Sequence, residues 1–194
     1  MARAALRTGV TPGEFLGWER LQNERHEFFH GEIFAMAGGS PRHAALAARV
    51  VRALSEALGR GCEVFSSDLQ LGLAEGTRYV YADASVVCGP PQVHPGTDVV
   101  ENPSVVVEVL SHSTEQYDRG LKWDGYRRLN SLTDYVLVSQ RTASIEHYRR
   151  EPDGSWRYTV AGLNDRVMLH GGATFDVGRI YEGVFELPSD EQLV

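Results

Sequence analysis

The run Pro103–Ser111, PSVVVEVLS, is almost continuously apolar and carries one carboxylate, Glu108. Runs of this kind form strands at a sheet centre, covered on both faces. An isolated ionised carboxylate buried there costs on the order of several kcal/mol, so Glu108 needs a cation or a metal beside it. Any fold for this chain must supply that partner.

A candidate lies just downstream. Lysine occurs once in the chain, as Lys122, and every other basic residue is arginine. Where a general positive charge would serve, the sequence writes Arg. At Lys122 it writes a compact ammonium on a flexible stem, which differs from a flat guanidinium in reach and hydration. Ser111–Thr114 supplies a turn and cap, and a helix is expected over residues 115–130. At 100° per residue, Asp118, Leu121, Lys122, Gly125, Tyr126 and Leu129 share one side, and Gln116, Trp123, Asp124 and Arg127 the other. Lys122 is therefore expected on the packing face. It can pair with Asp118 at i, i+4 or reach back to Glu108.

The rest reads as one α/β domain over residues 1–194, with 1–10 and 188–194 flexible. Thr11-Pro12-Gly13-Glu14 carries a capping box with proline at the first helical position. The helix it opens should run to about Glu24 and bury Phe15, Trp18 and Leu21. Phe28–Met36 reads as a strand kinked at Gly31. Ser40-Pro41 opens the next helix, in which His43, Ala47, Val50, Val51, Leu54 and Leu58 share a face. His43 thus begins the packing stripe, as a hydrogen-bonded core histidine or as a group lining a site at the helix start.

Residues 64–73 and 79–88 read as a hairpin joined across Ala74-Glu75-Gly76-Thr77, with Asp83 inside an otherwise buried strand although Asp is depleted in strands. Asp134–Ser139 is a further buried strand. Ser144–Arg150 and Ser155–Ala161 flank the turn signal Pro152-Asp153-Gly154. Residues 174–187 read as a last strand and a short helix. Arg141, Arg149, Arg150 and Arg157 are the candidate local basic patch.

Asp83 and Glu108 fall on successive buried strands, and facing carboxylates on adjacent strands come within about 5 Å. Two such groups cannot both stay charged without a cation. Mg²⁺ suits the pair, since it takes one or two carboxylates and fills its shell with water and phosphate oxygens. The formal net charge of −7 argues against broad electrostatic affinity for nucleic acid or anionic membranes, but not against a local groove. No apolar run approaches the ~20 residues of a membrane span. Cys62 and Cys88 have no metal-ligand spacing and are expected as unbridged thiols in a cytoplasmic protein.

The segments HEFFHGEIFAM, SPRH, YVYADASVV, NPSVVVEVLSHST and YDRGLKWDGYRRLNSLTDYVLVS, in this order, resemble the PD-(D/E)XK nuclease superfamily. Within it they are most similar to a large bacterial family of restriction-endonuclease relatives expanded in cyanobacteria. The resemblance spans residues 11 to about 140. It implies a restriction-endonuclease-like core, a central mixed sheet flanked by helices, with Asp83 and Glu108 holding Mg²⁺ or Mn²⁺. The superfamily lysine normally follows the second acid by two positions, where this chain has Leu110. The resemblance implies that Lys122 takes that role from the following helix. Glu32 and His43 match further motif positions and are expected to complete the catalytic set, with Glu27 a weaker candidate as a solvated carboxylate. The expected activity is DNA phosphodiester hydrolysis by a homodimer. A non-catalytic binding module on the same fold is the alternative. A metal-free carboxylate-pair hydrolase such as a glycosidase is a third reading.

Overall fold

The computed structural model describes residues 4–36, 38–73 and 76–190. Two antiparallel-rich sheets stack around the Glu108 strand. The larger has six strands: β3 (Cys62–Ser66), β6 (Ala84–Cys88), β7 (Val105–Leu110), β8 (Asp134–Ser139), β9 (Ser144–Arg150) and β10 (Trp156–Gly162), in spatial order β10-β9-β8-β7-β6-β3. Only β7 and β8 pair in parallel, so the sheet is mixed. The smaller sheet has the order β2-β1-β5-β4, built from β1 (His26–Phe29), β2 (Glu32–Ala35), β4 (Gln70–Leu73) and β5 (Arg78–Tyr81). A short ribbon, β11 (Arg166–Met168) with β12 (Thr174–Asp176), precedes α5 (Val177–Tyr181).

Period-2 alternation divides β7 between two cores. Val105, Val107 and Val109 pack with Leu46, Val50 and Leu54 of α2 (Pro41–Ala57) and with Ile180 and Tyr181 of α5. Val106 and Leu110 face the other way, with Leu71 and Val80 of the smaller sheet and with Tyr126 and Tyr135. Glu108 shares the parity of that second set and is buried as β7 requires of every residue. A third cluster joins Phe15 of α1 (Pro12–Glu19) to Phe28, Ile33 and Tyr79.

Several boundaries differ from the sequence reading, each for a local reason. The segment from Phe28 to Met36 is a hairpin, not a kinked strand. His30 (φ 46°) and Gly31 (φ 92°) form a two-residue turn with both φ positive, and Phe29 pairs with Glu32 across it. α1 stops at Glu19, and Leu21 is exposed. The two long strands expected around residue 74 each break and change sheets: β4 pairs with β5, while β3 pairs with β6. Ala74 and Glu75, between β4 and β5 in sequence, lie outside the described residues. Residues 6–10 are not loose, since Leu6 and Val10 donate backbone hydrogen bonds to the Ile33 and Gly31 carbonyls. At the other end, Asp190 accepts from Gln140 Nε2 at 3.0 Å, and residues 191–194 lie outside the described set.

The cysteines also depart from expectation. Cys62 and Cys88 face each other as the first pair of the β3–β6 ladder, with Cα atoms 4.0 Å apart, and are joined in a disulfide. Their separation of 26 residues carries no sequence signal; the strand register brings them together. The inference from unbridged thiols to a reducing compartment falls with it. Among the described residues no helix is long and apolar enough to cross a membrane.

The helix after β7 is the most informative difference. It runs as α3 (Glu115–Tyr117), a π-helical turn (Asp118–Lys122) and α4 (Trp123–Tyr126). The Trp123 N–H reaches back to the Asp118 carbonyl. Tyr135 Oη donates to the same carbonyl at 2.9 Å, and Arg78 Nη1 donates to the Leu121 carbonyl at 2.9 Å, so side chains satisfy the widened turn. One extra residue in a turn shifts the helical phase by about 100°. Leu121, expected inside, is 48% exposed. Trp123, expected outside, stacks on Tyr135 with ring centres 5.3 Å apart and packs on Tyr148 and Trp156. The phase shift makes a clear prediction. In denaturant titrations, Trp123→Ala should cost about 3 kcal/mol and Leu121→Ala less than about 0.5 kcal/mol; an unbroken α-helix predicts the opposite order.

Candidate functional site

Lys122 is the centre of a buried charge cluster. Its Nζ lies 3.1 Å from Glu108 Oε1, 3.1 Å from Glu27 Oε1 and 3.5 Å from Asp118 Oδ1. It also donates to the Tyr81 carbonyl at 3.1 Å. The lysine is only 6% exposed and Glu108 only 3%. Four pieces of chain thus converge on one ammonium: β1, the end of β5, β7 and the π turn. Both pairings open to the sequence, with Asp118 on the same helix and with Glu108 on the preceding strand, are present together.

Asp83 stands where the chain leaves the smaller sheet and enters the larger, just before β6. Ala84 pairs with Val107, so position 83 falls opposite Glu108. Asp83 Oδ2 accepts from the Val109 backbone N–H at 2.7 Å, so the side chain continues the hydrogen bonding where the β6 ladder ends. A carboxylate depleted in strand interiors is therefore placed at a strand junction, which explains its presence in an otherwise buried segment. His43 Nε2 lies 3.4 Å from the same Asp83 oxygen. α2 begins as expected, with Ser40 capping the His43 N–H and Pro41 at the first position. Gly39 is required beside it: a Cβ there would come within 2.6 Å of His43 Nδ1.

Glu27, Asp83, Glu108, Asp118, Lys122 and His43 all line one cleft of ≈ 290 Å³. Of the expected residues, Glu32 is the exception. The β1–β2 turn carries it to the exposed end of the hairpin, where it lines a different cleft. Glu27 occupies the place expected of Glu32, and it is buried rather than solvated. The hairpin accounts for both corrections: strand alternation turns Phe28 toward Phe15 and Tyr79, leaving Glu27 on the opposite face, toward Lys122.

Tyr126 was legible only as a packing residue. Its hydroxyl donates to Glu108 Oε1 at 3.0 Å, the same oxygen that meets Lys122. Two buried donors thus converge on one oxygen of Glu108.

Burial pushes the Glu108 and Asp118 carboxyls above the usual carboxylate range, with Lys122 opposing the shift in each. For Lys122, burial alone would lower the pKa, but Glu108, Glu27 and Asp118 outweigh it and hold the amine well above its ordinary value. For His43, burial likewise lowers the pKa, and the hydrogen bond and charge of Asp83 reverse the shift upward.

The arginines expected as a basic patch are engaged elsewhere. Arg149 and Arg157 pair with Glu151, Arg141 with Glu115, and Arg150 donates to the Arg127 and Leu129 carbonyls while lying over Trp156.

Four carboxylates around one lysine and one histidine leave an excess of negative charge that suits a divalent ion. Among the described residues no group of three or more His, Cys, Asp or Glu has metal-ligand geometry. An ion held by the Asp83–Glu108 pair alone would take its remaining ligands from water and substrate oxygens, a donor set that Mg²⁺ accepts.

The fold is of the mixed α/β class, a central mixed sheet flanked by helices. A solved structure from Anabaena variabilis, described as "a putative nuclease belonging to DUF820", superposes with a TM-score of 0.71, covering 90% of this chain and 99% of that one at 16% identity. The chain belongs to the Uma2 family, whose model, described as "Putative restriction endonuclease", matches residues 12–179. Two relatives come from Synechocystis. The uncharacterized protein slr1290 is 39% identical over 90% of this chain and 93% of its own length. The uncharacterized protein sll1609 is 36% identical over 77% and 86%.

The buried cluster predicts a pH-dependent stability deficit. Lys122→Met strands three carboxylates and should cost about 3–5 kcal/mol at pH 7. With the Glu108 and Asp118 pKa values raised in the folded state, those two carboxyls protonate sooner folded than unfolded as the pH falls. The deficit relative to the native chain should therefore shrink on acidification toward pH 4, measured by urea titration across pH.

Proposed function

We propose that the protein is a divalent-metal-dependent DNA endonuclease. The observation that carries this reading is the only lysine of the chain, buried 3.1 Å from Glu108 at the floor of a cleft that also holds Asp83. Family membership and fold support the class; the metal, the residues and the DNA substrate are the proposal.

Asp83 and Glu108 would hold the ion. Such an ion supplies a water of lowered pKa and offsets charge developing on the phosphate. The chain's own groups have distinct tasks. Lys122 and Tyr126 fix the Glu108 carboxylate through Oε1, so it keeps one orientation at the cleft it lines. The Val109 N–H fixes Asp83 through Oδ2. Lys122, held charged by its carboxylates, offers a fixed positive end for a phosphate oxygen or for the attacking water. His43, beside Asp83 at the cleft wall, is placed to bind substrate or a water at the ion. Glu27 and Asp118 hold the ammonium in place. The net charge of −7 disfavours broad electrostatic binding of DNA, so contact would be local to the cleft, and the assembly proposed is a homodimer presenting two such clefts.

Plasmid nicking tests the reading. Cleavage should appear with Mg²⁺ or Mn²⁺, vanish with chelator, and fall at least about a hundredfold in Asp83→Asn, whose side chain is partly exposed and whose loss the fold should tolerate. Cleavage that survives chelator and Asp83→Asn would remove the site assignment, and chelator-insensitive hydrolysis of a glycoside would point to the carboxylate-pair alternative.

A further inference from the structure

The six-stranded sheet ends on β10, and among the described residues no strand pairs with its outer edge. β10 forms an unbroken ladder with β9 from Trp156 to Gly162, so neither a proline nor a bulge blunts it. Arg157, Tyr158, Thr159 and Val160 are all exposed. The ladder fixes which backbone groups are free. Arg150 donates its N–H to the Thr133 carbonyl, away from β10, so its β10 partner Trp156 turns its own backbone groups outward. Alternation turns those of Tyr158 and Val160 outward as well. Asp165 closes the far end, because its carboxylate accepts from the Gly162 N–H and its N–H donates to the Gly162 carbonyl.

The side chains on this edge are apolar where charge is the usual protection. Tyr158 is 50% exposed and Val160 56%, and strand alternation sets both on one face. Tyr158 also ends a row of rings that starts in the core. Trp123 stacks on Tyr135, Tyr148 lies 4.7 Å from Trp123, and Tyr158 lies 4.9 Å from Tyr148. The hydroxyl of Tyr158 donates to Glu146 at 2.9 Å, which holds the ring at the edge.

We infer that a second copy of this chain covers this edge, with β10 pairing antiparallel to β10 about a twofold axis at Thr159. The inference rests on the homodimer of the nuclease reading and gives it a surface. The order of residues commits the edge to a second copy. With the axis at Thr159, Tyr158 faces Val160 of the second copy and Val160 faces its Tyr158. The outward backbone groups of both residues then form two hydrogen-bonded pairs. The four side chains make one apolar patch that continues the row of rings across the axis. On the opposite face Thr159 meets Thr159, a favourable cross-strand pair. No charge meets its like, since Arg157 comes opposite Ala161 of the second copy and next to its Asp165. Such an isologous contact closes at two copies. It leaves both clefts open, because no residue of β9 or β10 lines the cleft of Asp83 and Glu108.

Sedimentation equilibrium of the full chain tests the inference, and a species of twice the chain mass is expected. Val160→Pro removes an outward N–H and leaves the β9 ladder intact, as proline on an edge strand can. It should raise the dimer Kd at least about tenfold, since the symmetry loses each contact twice. Tyr158→Lys sets a charge against the apolar patch and should do the same, with circular dichroism unchanged. Thr159→Cys tests the register. The two cysteines would face each other with Cα atoms about 4.5 Å apart and should join the copies under mild oxidation. Ala161→Cys places its pair more than about 12 Å apart and should not. A monomeric native chain, a dimer that survives a folded Tyr158→Lys, or Ala161→Cys joining as readily as Thr159→Cys would overturn the inference. The readout needs no cleavage, so the two proposals fail separately. Nicking by a monomer removes the interface and leaves the nuclease reading. A dimer joined through Thr159→Cys in a protein that nicks no DNA does the reverse.

Discussion

Four elements of this molecule, β1, β5, β7 and the π turn, meet at one buried ammonium. A lysine 6% exposed loses most of its hydration, and only charge partners at hydrogen-bond distance can replace it. Glu27, Glu108 and Asp118 do so from three separate elements, and the Tyr81 carbonyl adds a fourth. Each element is held at the position where its oxygen meets Nζ. The smaller sheet, the central strand of the larger sheet and the π turn are thereby fixed against one another by the same group that is proposed to face the phosphate.

This dependence gives the π turn a physical reason. Between β7 and the helix the chain must bring Asp118 and Lys122 inward together while still packing Trp123 and Tyr126 against Tyr135. A regular helix places Leu121 and Lys122 on the same side and turns Trp123 away. One inserted residue relieves that conflict, and Arg78 and Tyr135 pair with carbonyls of the widened turn. Gly125 allows the close approach: a Cβ there would meet both Leu73 Cδ1 and Arg78 Nη1 at 3.0 Å.

Much of this was legible from residues alone. A carboxylate in a valine strand and a single lysine on the next helix define a pairing problem with few solutions, and the Glu108–Lys122 contact is the solution reached. The capping residues Thr11 and Ser40 placed two helix starts correctly. What stayed hidden depended on register and on non-local pairing. The kink read at Gly31 is a two-residue turn, and the strand it closes buries Glu27, a carboxylate that reads as solvated. The switch of sheets at Asp83 leaves no mark in an alternation pattern that continues through it. Cys62 and Cys88 meet only because β3 runs antiparallel to β6. Tyr126 reads as core because its ring is core; its hydroxyl acquires a role only when Glu108 is placed opposite.

The central claim is that Asp83 and Glu108 form one ion site ordered by Lys122. A crystal soaked in Mn²⁺ and measured at the manganese edge tests it most directly. An anomalous peak is expected within coordination distance of the Asp83 and Glu108 carboxylates, with Lys122 Nζ still within hydrogen-bond distance of Glu108. A peak elsewhere, or a Lys122 side chain turned to solvent, would contradict it.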